Sequence, residues 1–296
     1  MKVLILGGTG MLGHKAFQLL RKRFDTYVTF REPAARWEGH PLFKEAGPGY
    51  LFGDVHADRL ETVARTLEQV RPDVVINCIG IVKQRDEAKV AVPSSRINAL
   101  FPHQLADLCG SAGTRLFHIS TDCVFSGRRG AYTEEDIPDP MDLYGRTKLL
   151  GELNRPGCLT LRTSIIGWEL RGGLGLLEWF ASQRGRKIKG YRCAIYTGLA
   201  TAVLVDMTAR LIEFYPDLSG LYQVASRPIS KYDLLLRLRD ALGWRDITIE
   251  PDDEFRCNRS LVGRRFESVV HWMLPDWGVM ISDLAREWAT YRNWRS

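Results

Sequence analysis

The sequence predicts an α/β protein, a doubly wound parallel sheet followed by a smaller C-terminal α/β lobe. Three observations predict it. Short apolar, β-rich runs alternate with stretches of helical periodicity through the first half of the chain, which is the pattern of βαβ units. A glycine-rich turn, GGTGMLG, separates the first such run from the first helical stretch. After residue 163 the rhythm loosens into Gly- and Arg-rich loops and short mixed elements.

The elements follow in order. Lys2–Leu6 is an apolar strand ending in glycines, and Leu12–Arg23 is a helix by its periodicity. Thr26–Phe30 and Tyr50–Phe52 are strands, Asp58–Val70 a helix, and DVVINCIG a buried-type strand. A helix over Asn98–Leu108, the strand RLFHIS, a helix over Tyr144–Leu153 and the strand CLTLR complete the rhythm. Right-handed crossovers gather the loops of such a sheet at the strands' C-terminal edge, where ligands bind. We therefore expect a Rossmann-type NAD(P)-binding domain over 1–163 and a substrate-binding lobe over 164–296. That lobe should hold helices at Leu174–Ser182, Thr201–Phe214 and Ser230–Leu242, with GLYQVAS returning to the first sheet.

Composition narrows the function. The 296 residues are 45% hydrophobic and 26% charged, and the net charge of +6 is interspersed rather than blocked. No Lys/Arg stripe with interleaved aromatics points to nucleic acid. No run of about 18 apolar residues points to a membrane span. The opening MKVLILGGTG reads as a strand rather than a signal peptide. Six cysteines form no CxxC pair, so we expect reduced, cytoplasmic thiols and neither a disulfide framework nor a metal site.

GGTGMLG sets Gly7, Gly10 and Gly13 at GxxGxxG spacing between a strand and a helix. Glycines there allow a tight turn and close approach of a pyrophosphate to the helix N-terminus. Thr9, Met11 and Leu12 complete the candidate dinucleotide turn. The second strand ends at Arg31, followed by Glu32. A cation at this point suits a 2′-phosphate, so NADP(H) is the preferred cofactor, with NAD(H) as the alternative that Glu32 would serve.

Tyr144 and Lys148 stand four residues apart on one helix face. An ammonium close to a phenol would lower its pKa toward a useful range. The pair alone is weak, since chance gives about 0.3 such spacings in a chain of this composition. Its setting is stronger: the preceding strand should present Ser120 and Thr121 at the ligand edge, where a hydroxyl can position a carbonyl oxygen.

With GxxGxxG, STD, YGRTK and LGE in one chain, the sequence resembles an extended short-chain dehydrogenase/reductase. More narrowly, STDCVFSGRRGAYTEEDIPDP…LYGRTKLLGE is similar to the dTDP-4-dehydrorhamnose reductase branch. The similarity continues through GDV, RINALFPHQLADLC, LRTS, TGLATAVLVD, GLYQVAS and RSLVGRRF. The resemblance implies NADPH-dependent reduction of a nucleotide-activated 4-keto-6-deoxy sugar for bacterial surface polysaccharide, on a chain compatible with a homodimer. It implies that Thr121 positions the carbonyl, Tyr144 donates the proton and Lys148 is its partner. Asp54 and Val55 match the adenine pocket, Cys78, Ile79 and Gly80 the loop lining the cofactor. Asn98 matches a helix asparagine near the active site, though an Asn capping its helix accounts for it equally well.

Three departures bear on the substrate. Cys123 replaces the branch's usual tyrosine and lies where GDP-fucose synthases carry an acid/base cysteine, but the histidine those enzymes pair with it has no counterpart here. Without Glu at this position, a dehydratase is not expected. Ile165 replaces a branch tryptophan. Arg171, Arg186, Lys189, Arg192, Arg259 and Arg264 form the cation pool for a substrate diphosphate, with Arg259 the best match, while His118 reads as a satisfied core group. A nucleotide-sugar epimerase using NAD is the enzymatic alternative. A non-catalytic NADP-binding regulatory subunit is the other class, because the β subunit of methionine adenosyltransferase resembles this branch.

Overall fold

A computed structural model describes residues 1–171 and 173–295 of the chain. Seven parallel strands form the central sheet: β1 (Lys2–Leu6), β2 (Asp25–Thr29), β3 (Leu51–Phe52), β4 (Val74–Asn77), β5 (Arg115–Thr121), β6 (Cys158–Thr163) and β7 (Gly220–Gln223). Their order is β7-β6-β5-β4-β1-β2-β3. The order reverses between β1 and β4, and that crevice is where a doubly wound sheet takes its ligand. In this architecture, apart from the half-exposed Lys2, every residue of β1, β4 and β6 is buried, as expected for strands covered on both faces.

The helices used below are α1 (Met11–Leu20), α2 (Leu60–Val70), α3 (Phe101–Ser111), α4 (Leu143–Leu150), α5 (Thr201–Phe214), α6 (Lys231–Leu242) and α7 (Trp277–Arg295). Leu4, Leu6 and Val75 pack with Val63 and Leu67 of α2 and Phe101 and Leu105 of α3 on one sheet face. Val3, Ile5 and Ile76 pack on the other face with α1, α5 and α7. Helix α1 ends sooner than its periodicity suggests. The N–H groups of Lys22 and Arg23 bond back three residues, to Leu19 and Leu20, so the last turn tightens out of α geometry.

The chain after residue 163 shares this core. Gly220–Gln223, from GLYQVAS, runs beside β6 in the register Gln223↔Arg162, and α5 packs on α1. Smaller ladders join Ile165–Ile166 to Leu199–Ala200 and Lys187–Tyr191 to Thr248–Asp252. Ala194–Tyr196 pairs with both Ile229–Ser230 and Cys257–Asn258.

The sequence reading did not anticipate α7. Its Glu287 holds Lys15 Nζ at 2.8 Å, and its Tyr291 hydroxyl meets His14 Nε2 at 2.6 Å. The other nitrogen of that ring lies 2.7 Å from the Gly10 carbonyl. Burial first, then neighbouring cations, lowers the His14 pKa to about 3. A neutral imidazole thus ties α7 to the glycine turn. His118, read as satisfied, is only half so: Nδ1 meets Asn77 Nδ2 at 3.2 Å and Nε2 has no partner among the described residues.

Candidate active site

The site begins at the glycine turn. Gly7 has φ +86°, and a Cβ on Gly13 would lie 2.1 Å from the Gly7 carbonyl oxygen, so the turn closes on α1 only if position 13 lacks a side chain. Gly10 at the N-cap supplies no capping side chain, which leaves the first N–H groups of α1 for an anion. Thr9 and Met11 are half-buried, Gly10 is exposed and Leu12 is buried.

Two loops flank this turn. Val55 N–H donates to Phe30 O (3.0 Å) and Asp54 N–H to Glu32 O (3.2 Å), which sets Asp54 and Val55 beside the end of β2. On the other side Cys78 N–H donates to Leu6 O (3.0 Å), and a Cβ on Gly7 would meet Ile79 and Cys78 first. Burial pushes the Cys78 thiol up to about 12, so it is a neutral lining group. Gly80 is exposed.

Asn98 does not cap a helix. It sits in a wide π-helical turn, Ser95–Leu100, ahead of α3. Its amide accepts from Ile81 N–H (2.9 Å) and donates to Ile81 O (3.0 Å) and Thr147 Oγ1 (3.4 Å). One side chain therefore fixes the Cys78–Lys83 loop against α4. Lys83 adds an ion pair to Asp142 (2.6 Å), whose carboxylate also accepts from Gly145 N–H (2.8 Å) and caps α4.

The structure brings Thr121 and Tyr144 together, and sets the Lys148 ammonium against β5 at Ile119. Thr121 ends β5, and its Oγ1 accepts from Cys123 N–H (3.1 Å) and donates to Asp122 Oδ1 (3.2 Å). Helix α4 lies directly against this turn, because a Cβ on Gly145 would fall 2.3 Å from Cys123 O. The Tyr144 phenol faces Thr121, whose hydroxyl stabilises its ionised form. Burial and the Cys123 thiol outweigh this and hold the phenol above its ordinary pKa. The expected lowering by Lys148 is not seen: its Nζ donates to Ile119 O at 2.7 Å, while burial, opposed by Glu152, lowers its own pKa to about 8.

Cys123 lies beside Arg259, with Nη1 3.6 Å from Sγ. Burial, then the charge of Asp122, raises the thiol to about 12, so it stands as a neutral group rather than a base. Arg259 Nε donates to Phe125 O (2.9 Å), and the Phe125 ring stacks on Tyr132 at 4.2 Å. The RSLV segment is thus fastened beneath the Thr121–Cys123 turn. Ile165 pairs with Leu199 in a two-residue ladder and is half-buried.

Of the expected cation pool, only Arg259 reaches this cluster. Arg171 instead grips Glu32 with both terminal nitrogens (2.8 and 2.9 Å) and lies over the Trp37 ring, 4.4 Å from its centroid. Lys189 pairs with Asp252 (2.9 Å) and Arg192 with Asp253 (3.4 Å), while Arg186 and Arg264 are exposed. Sequence reasoning missed Lys231, at the start of α6, whose charge acts on Asp122 and Cys123. Its signal was slight, a lysine after an N-capping serine in RPISKYD. Among the described residues no cluster of His, Cys, Asp or Glu is arranged to hold a metal, and no helix is long and apolar enough to cross a membrane. The six cysteines are free.

The family described as the RmlD substrate binding domain matches residues 1–169. The chain belongs to that family. Its fold is that of dTDP-4-dehydrorhamnose reductase from Bacillus anthracis in complex with NADP, with a TM-score of 0.79 at 20% identity over 97% of this chain and 99% of that one. Methionine adenosyltransferase 2 subunit beta from Rattus norvegicus is 32% identical over 176 residues, 57% of this chain and 48% of that protein. The dTDP-4-dehydrorhamnose reductase of Mycolicibacterium smegmatis is 39% identical over 112 residues, 35% of this chain and 32% of that protein. The chain spans about half the length, or less, of these two relatives.

Proposed function

We propose that this RmlD-family chain reduces the keto group of a nucleotide-activated 4-keto-6-deoxy sugar with NADPH, as a dTDP-4-dehydrorhamnose reductase does, for surface polysaccharide. The observation that carries this reading is the Thr121 hydroxyl facing the Tyr144 phenol, with the Lys148 ammonium held on the same strand at Ile119, at the sheet edge that also holds the glycine turn. The turn fits a dinucleotide: its closest approach excludes a Cβ at Gly13 and no side chain caps α1.

A bound nicotinamide supplies the hydride that the carbonyl carbon accepts. Thr121 holds the carbonyl oxygen, and Tyr144 delivers its proton to that oxygen as the C=O bond becomes C–OH. A phenol held above its usual pKa by burial is in the form this direction needs, since a reduction consumes a proton. Lys148, anchored to Ile119 O, would hold the cofactor's ribose hydroxyls as a charged donor. Its charge is lost as pH rises through about 8, so kcat/KM should fall above about pH 8; a profile flat to about pH 10 would contradict this.

Preference for NADP(H) rests on the end of β2. Glu32, which could hold a ribose diol, is engaged by Arg171 and by Arg36 (3.2 Å), and those guanidinium groups keep its carboxyl below the usual range. Arg31 is exposed beside it. Arg31→Ala should weaken NADPH binding by about tenfold or more and NADH binding little, measured by fluorescence titration; equal effects would remove the assignment.

A second reading has its own observation, the likeness to methionine adenosyltransferase 2 subunit beta over 57% of the chain. On that reading the site binds cofactor without turnover. Following NADPH absorbance against a panel of 4-keto sugar nucleotides separates the two: oxidation with any member supports the reductase, and NADPH binding without oxidation supports the subunit.

A further inference from the structure

Side chains of the last helix reach the glycine turn, and the reduction just described gives that contact no task. Tyr291 of α7 is buried, and its hydroxyl lies 2.6 Å from Nε2 of the equally buried His14. The Nδ1 of that ring lies 2.7 Å from Gly10 O. A carbonyl oxygen only accepts, so Nδ1 carries the proton and donates to it; Nε2 then accepts from the Tyr291 O–H. The hydrogen bonds therefore run one way, from phenol to imidazole to turn. Burial keeps both groups in the forms this needs: it lowers the imidazole to about 3 and holds the phenol above its ordinary pKa.

Neighbouring contacts keep the chain of bonds in place. Lys15, next to His14, pairs with Glu287 at 2.8 Å, and its ammonium lies 5.1 Å from the centroid of the Tyr291 ring. Trp168 Nε1–H donates to Leu284 O (2.8 Å), one turn and a half before Tyr291. A second connection starts at Arg295, whose Nη1 donates to Glu178 (2.8 Å) and Nε to Glu169 O (3.1 Å). Between those two acids, a Cβ on Gly175 would meet Met11 Cε at 2.7 Å. Helix α7 thus bears on the turn at Gly10 and, through this loop, at Met11.

The part of the turn held in this way is the part that must be still. Gly10 is the N-cap of α1 and has no capping side chain. Its carbonyl and the Met11 N–H share one peptide plane, so the imidazole that fixes the first also aims the second, one of the free N–H groups at the helix start. Glycine loses more freedom on being fixed than any other residue, and a site ordered before its ligand arrives binds it more tightly.

We propose that Tyr291, acting through His14, is a positioning residue of the dinucleotide turn, by which α7 aims the Met11 N–H at the cofactor's pyrophosphate. The inference rests on the glycine turn being the NADP(H) site. Linkage makes the effect reciprocal: bound cofactor holds α7 in place as α7 holds the turn.

Calorimetric titration of the full chain with NADPH and, separately, with adenosine 2′-phosphate, which has no pyrophosphate, tests this without requiring turnover. Tyr291→Phe keeps the ring and removes only the donor. It should weaken NADPH by about three- to tenfold, the range for one hydrogen bond, and leave adenosine 2′-phosphate unchanged. His14→Asn still offers an N–H to Gly10 O but is too short to meet Tyr291. It should weaken NADPH as Tyr291→Phe does, with the double variant no weaker than either single one, and it stands in if Tyr291→Phe does not fold. Equal weakening of both probes would mean that α7 only supports the fold, and unchanged NADPH affinity would mean that the turn needs no anchor; either overturns the proposal. An unaltered chain that binds no NADPH removes the cofactor reading itself, and this inference with it.

Discussion

Tyr144→Phe is expected to lower kcat by roughly 10²–10⁴-fold, the usual contribution of a positioned acid, and to leave NADPH affinity within about twofold. The ring remains, so packing against the Thr121–Cys123 turn is kept; only the oxygen that carries the proton is lost. Thr121→Val supplies the contrast. It removes the hydroxyl that accepts from Cys123 N–H, so it should raise KM as well as lower kcat, because the carbonyl loses its anchor and the turn a hydrogen bond. Stopped-flow measurement of NADPH oxidation distinguishes the two patterns. Turnover by Tyr144→Phe near the unaltered rate would take Tyr144 out of the chemistry and, with it, the reason to read this edge as a reductase site.

The parts of this molecule legible in sequence are those built from local rules. The glycine turn, the alternation of β1 to β6 with helices, and the spacing of Tyr144 and Lys148 depend on residues within a few positions of one another. What escaped depends on contacts between distant segments. Helix α7 buries Trp277, Met280, Ile281, Leu284 and Tyr291, a helical spacing, but Glu287 interrupts the apolar stripe. That charge reads as solvent-facing until Lys15, 1% exposed on α1, is found bonded to it. Arg171 belongs to the cation pool by its charge alone; its partner Glu32 lies far from it in sequence. Lys231 escapes because the long stretch of chain between it and Asp122 hides that the two charges act on each other. The expected help from Lys148 to Tyr144 failed because helical spacing places two side chains on one face without deciding which acceptor the longer one finds. Here it finds Ile119 O.

Beneath the candidate site a buried ion pair should prove the most costly single element to break. Arg162 on β6 meets Glu152, just after α4, through two hydrogen bonds of 2.7 and 2.6 Å, with side chains 6% and 7% exposed. Ser120 donates to the same carboxylate (2.6 Å), and the guanidinium lies over Phe125, 5.4 Å from the ring centroid. Strand β5, the end of α4 and the floor of the Thr121 turn are thereby joined by one pair. Arg162→Met keeps the stem volume but strands a carboxylate in the interior, so a loss of roughly 3–5 kcal/mol is expected, read as a lower midpoint in urea. Glu152→Gln should cost less, because the amide oxygen can still accept from Arg162 and Ser120. The double variant should lose less than the sum of the two, since removing both charges leaves neither unpaired. Strict additivity, or a loss below about 1 kcal/mol for Arg162→Met, the value of an exposed pair, would mean that water reaches the carboxylate and that the pair does not hold the Thr121–Cys123 turn. Should the larger loss be found, kcat in Arg162→Met ought to fall even where the chain is fully folded, because Ser120 and Thr121 are adjacent on the strand whose end this pair fixes.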